Sequence, residues 1–242
     1  MFGFFRPHCP IDIVTRAWVH RRWRWLTDEF GADLMIDATT VLPTAEFFPD
    51  EYDGSEQAVR TLVDRVCGYM QVPADRVELD FYSESGRPHF VDEQGRAIGG
   101  TAGLYLPDHD ITIHLERSGF ARPMELVGTV AHELAHARTL GEGRCYAEEY
   151  DNELLTDLTV VFHGLGIFLA NVPRHWPASA ETWPGTDVFK PEYMTTPMYG
   201  YALAYRCWLR EEPMPVWRRH LAPGVRAEFK HALRFLQSGL SA

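Results

Sequence analysis

The residues best able to do chemistry are His132, Glu133, Leu134, Ala135 and His136, an HExxH string. On a helix the two histidines fall at i and i+4, on one face and one turn apart. Both imidazoles can then hold one divalent cation. Glu133 lies beside that face, where its carboxylate can take a proton from a metal-activated water. Leu126, Val127, Val130, Ala131 and Leu134 form an apolar stripe on the same helix, so the polar residues of the motif face away from it.

A catalytic zinc takes three protein ligands and keeps one open position. The metzincin solution, a third His six residues after the second with a Gly between, is excluded, because those places hold Glu142 and Thr139. Further on comes Asn152-Glu153-Leu154-Leu155-Thr156-Asp157. Glu153 can supply a carboxylate ligand. Asp157, one turn later, can accept the outer N–H of a ligating imidazole and fix its tautomer. Glu148 and Glu149 are rival ligands, and Cys145 is a candidate fourth ligand that would close the site.

HELAH followed by NELLTD resembles the gluzincin, or thermolysin-like, zinc metallopeptidases, which carry HExxH and NExx(S/T)D. The resemblance implies that His132, His136 and Glu153 bind zinc, that Glu133 is the general base, and that Asp157 orients a histidine ligand. It is close over residues 132–157. The wider order of FFPDEY, a Cys-bearing helix, a sheet, HELAH, NELLTD, GLGIFLAN and YALA resembles a compact bacterial family of zinc proteases. That likeness implies a zincin-like fold and a metal site, and no substrate.

Peptide hydrolysis on this pattern also needs a donor for the developing oxyanion. Tyr201, Tyr205, Tyr146 and Tyr150 are candidates, and Tyr201 is the one chosen. The small-residue run Gly99-Gly100-Thr101-Ala102-Gly103-Leu104-Tyr105 reads either as a bend or as an edge strand that takes a peptide backbone. His163, among Val161, Phe162 and Leu165, reads as a core histidine.

The elements that must position these residues follow from periodicity. Residues 11–30 form an amphipathic helix with Val19, Trp23, Leu26 and Phe30 inward. Its Arg-rich remainder is a solvated face. Residues 40–53 read as a loop and 54–71 as a helix capped by Ser55. Alternation in 77–82, and turn signals at 83–86, 92–95 and 107–110, predict short strands at 77–82, 88–91, 97–106 and 111–115. Helices are expected over 123–138, 147–170, 199–211 and 223–238. The five prolines of 171–198 predict an irregular cleft wall or lid.

The expected fold class is α+β and zincin-like. A small antiparallel or mixed sheet packs on the active-site helix, followed by a helical C-terminal half. The chain reads as one domain over 1–242. Its parts are a helical 1–75, a sheet over 76–122, metal-site helices over 123–170, and a Pro-rich and helical 171–242.

Composition sets the outer bounds. The chain has 242 residues, 45% hydrophobic and 24% charged, so it can bury a core. A net charge of −11 excludes a general binder of nucleic acid or anionic membrane. The four cysteines form no CxxC pair, and the first ten residues lack an export signal, so a reducing cytoplasm is expected. The apolar run 158–172 is too short and polar to span a bilayer.

The expected function is zinc-dependent hydrolysis of a peptide or protein substrate, with Zn²⁺ as cofactor and Mn²⁺, Fe²⁺ or Co²⁺ as possible replacements. The alternatives are a metal-stabilised binding or regulatory protein, and a hydrolase of non-peptide amides or esters.

Overall fold

A computed structural model describes residues 7–83, 111–172 and 181–239. The chain is α+β and mostly helical, with a two-stranded parallel sheet among the described residues. It groups into two compact units. One is Val41–Asn152; the other joins the described residues of 1–40 to those from 153 onward.

In the 41–152 unit, helix α3 (Glu56–Met70) starts where the Ser55 hydroxyl accepts the Ala58 N–H at 3.2 Å. Val59, Leu62, Val63, Val66 and Met70 make its buried face. The loop before it is fastened by hydroxyls: Tyr52 donates to the Phe120 carbonyl at 2.8 Å and Tyr69 to that of Phe47 at 2.7 Å. Strands β1 (Val77–Tyr82) and β2 (Ile111–Glu116) pair with Val77 opposite Ile111 and Tyr82 opposite Glu116. Ile111, Ile113 and Leu115 point into the core while Thr112, His114 and Glu116 alternate outward.

This pairing is parallel, where an antiparallel or mixed sheet was expected. Turn signals between strands imply hairpins, but a parallel pair needs a long crossover, and the chain between Tyr82 and Ile111 is long enough to make one. The expected strands at 88–91 and 97–106, with the Gly99–Tyr105 run, lie outside the described residues.

Helix α4 (Pro123–His136) follows with Pro123 in its first turn, where the missing N–H costs nothing. It packs on α3, and Leu126, Val127, Val130 and Leu134 are among its buried residues. A five-residue π-helix, Ala137–Gly141, continues directly from it.

In the other unit, helix α1 (Ile13–Phe30) is capped by Asp12, whose Oδ1 accepts the N–H groups of Val14 and Thr15 at 2.9 Å each. Val19, Trp23 and Leu26 are buried, as the periodicity predicts; Trp18 is buried beside them, Phe30, expected inward, is only half-buried, and the short helix α2 (Ala32–Asp37) follows. Where one helix was expected over 147–170 there are two, α5 (Asn152–Phe162) and α6 (Gly166–Asn171). The break is at Gly164, whose φ is +93°; a Cβ there would lie 2.2 Å from the Thr39 carbonyl oxygen. Helix α7 (Thr196–Leu209) then packs against α8 (Pro223–Gln237), with Gly200 at their close approach to Glu228 and Phe229. No helix among the described residues is long and apolar enough to cross a membrane.

Candidate metal centre

The last turn of α4 carries both imidazoles. His132 and His136 are 5% and 6% exposed, and their rings stand nearly perpendicular, 87° apart, with centroids at 4.8 Å. Glu133 between them is 2% exposed. Glu153 lies in the first turn of α5 and is half-buried.

One ligand atom from each of His132, His136 and Glu153 lies within 4.8 Å of the others, so the three could hold a metal ion. Nitrogen and oxygen donors bound tetrahedrally at about 2.1 Å sit roughly 3.4 Å apart, so modest side-chain rotation closes this set on one ion. Two neutral imidazoles and a carboxylate are a donor set suited to zinc and its neighbours in the first transition row. The rival carboxylates Glu148 and Glu149, and Cys145, fall outside the set.

Asp157, one turn past Glu153, is fully buried, and its Oδ2 accepts the Met194 backbone N–H at 3.0 Å. That bond ties α5 to the end of the irregular stretch before α7. Residues 181–195 of this stretch hold one isolated antiparallel bridge, Thr182 with Phe189.

The chosen oxyanion donor is already engaged. Tyr201 is fully buried on α7, with its hydroxyl 2.8 Å from His20 Nε2, and the His20 ring stacks on Tyr205 at 4.4 Å. Burial raises the pKa of both tyrosines. Burial, with Arg16 and Arg24 nearby, lowers that of His20. Tyr146 and Tyr150 are exposed, at 78% and 42%, on the connection between the ligand-bearing helices. His163 is buried with its Nδ1 2.9 Å from the Thr159 carbonyl, consistent with a core residue.

The sequence reading missed the π-helix and the arginine within it. Arg138 donates from Nη1 to the Gln71 carbonyl at 2.8 Å and places Nε 3.3 Å from Glu142. The i,i+4 spacing of Arg138 and Glu142 was a legible signal. The contact to Gln71 was not, because it joins residues distant in sequence.

Comparison with known protein families, curated proteins and solved structures gives no match. The case for a function therefore stands on the site.

Proposed function

We propose that this chain is a metal-dependent hydrolase, most simply a gluzincin-like zinc metallopeptidase acting on a peptide or protein substrate in the cytoplasm. The observation that carries the proposal is the convergence of His132, His136 and Glu153, with Glu133 beside the two histidines. Zinc bound there would supply Lewis acidity, polarising a scissile carbonyl and lowering the pKa of water.

The chain's own groups have defined tasks in this account. The Glu133 carboxylate accepts a proton from the attacking water and delivers it to the leaving amine. Asp157, one turn past Glu153, is assigned the outer N–H of a ligating imidazole. That leaves the outer imidazole nitrogen as donor and the inner one as ligand. Tyr201 has no part in this scheme, because its hydroxyl is held by His20.

Replacing Glu133 with Gln keeps the size and removes the base. Turnover of a peptide substrate should fall by about 10²- to 10⁴-fold, while one zinc per chain stays bound. Full activity in Glu133→Gln would refute the assigned base.

The burial of both imidazoles and of Glu133 favours a second reading, a metal that stabilises a binding or regulatory protein. Cobalt(II) substitution separates the two. Under the hydrolase reading, a hydroxamate changes the visible spectrum by entering an open coordination position. A closed structural site leaves the spectrum unchanged.

A further inference from the structure

The chain leaves the second histidine by an unusual route. Ala137–Gly141 is π-helical, so the Glu142 N–H bonds to the Ala137 carbonyl at 3.0 Å, five residues back. The Thr139 carbonyl accepts two amides, from Arg144 at 2.9 Å and Cys145 at 3.2 Å. Two tighter turns follow, Glu149 N–H to Tyr146 and Asn152 N–H to Glu149, and the next residue is the carboxylate ligand. Every residue from His136 to Asn152 belongs to one unit. The wide turn therefore begins the path that delivers Glu153.

A π turn makes poorer hydrogen bonds than an α turn and is held by its surroundings. Here Arg138 holds it. Its side chain is 14% exposed, and a guanidinium, which keeps its charge, is costly to bury that far unless it is paired. Nη1 donates to the carbonyl of Gln71, the left-handed residue that ends α3, where helix carbonyls lack intrahelical partners and the helix dipole is negative. Nε faces Glu142, which also accepts from Arg144 Nε at 2.9 Å. Two arginines and one glutamate thus join the start and end of the wide turn, and Arg138 fastens it to α3, the helix that packs on α4.

We infer that Arg138 is a positioning residue for the metal centre: it fixes the path out of the HExxH helix so that Glu153 arrives within ligand distance of the imidazoles. The inference rests on the metal-centre reading above. In this role Arg138 acts through Glu153.

A zinc-affinity cycle tests it, with a competing chelator as readout and no need for activity. Arg138→Gln should weaken zinc binding at least tenfold, the scale on which outer residues support metal sites. In a Glu153→Ala background the same change should weaken it less than twofold, because the residue it positions is gone. Arg138→Lys keeps the charge and one donor and should restore affinity to within about threefold of wild type.

A merely structural role would lower the melting temperature while leaving zinc affinity unchanged, or would weaken zinc equally in both backgrounds. Either result overturns the inference and leaves the metal centre standing. If Glu153→Ala binds zinc as tightly as wild type, both fall together. Should Arg138→Gln fail to fold, Glu142→Gln releases the same turn from its other side and must show the same dependence on Glu153.

Discussion

At the scale of single residues, buried polar groups divide into those gathered at the candidate metal centre and those that serve packing. Tyr201 shows why residue type alone does not decide. It was a reasonable oxyanion donor in the sequence, yet its hydroxyl bonds His20 within the packing of α1 and α7. Burial holds the His20 pKa below its ordinary value of 6.5. The unfolded chain therefore binds this proton more readily than the folded one. His20 contributes stability above about pH 6.5 that is lost as pH falls through its folded value. The melting temperature should drop across that window in wild type, and the drop should shrink in His20→Gln. An equal drop in both would assign the acid sensitivity to other groups.

At the scale of elements, the helices were legible and the strand pairing was not. Apolar spacing located α1, α3, α4, α7 and α8 because each buries one continuous stripe, and Ser55 marked the α3 start correctly. Alternation located β1 and β2, but it looks the same in parallel and antiparallel strands, so it did not fix their direction. The residues that could hold a metal were picked out from local spacing. His132 and His136 are local to one helix, and Glu153 opens the next.

The break between α5 and α6 was hidden inside an apolar run, since Gly164 there answers to the Thr39 carbonyl, far away in sequence. Gly164→Ala should cost more than the roughly 1–3 kcal/mol of a strained left-handed residue, because the new methyl also meets that carbonyl. Urea denaturation measures this. A loss under about 0.5 kcal/mol, the scale of an ordinary surface change, would mean that the backbone shifts freely there.

At the scale of the whole molecule, the negative charge is unevenly distributed. All of the acidic excess lies in residues 41–152, the unit that carries the two histidines. A net negative unit favours binding of a cation over an anion. Metal binding to the folded state alone also raises stability by mass action, about 2.7 kcal/mol at a hundredfold excess over Kd. Zinc should therefore raise the melting temperature in proportion to the logarithm of its free concentration. Magnesium, which prefers oxygen donors and retains its water, should not. If the two ions act alike, binding is diffuse and electrostatic.

The central claim is that three side chains share one cation. Its most direct test is metal content by mass spectrometry, after dialysis against buffered trace zinc, of wild type, His136→Ala and Glu153→Ala. The account predicts one zinc per wild-type chain and a large loss in each variant with the fold retained. A wild type without stoichiometric metal, or a Glu153→Ala chain that keeps its zinc in full, would contradict it.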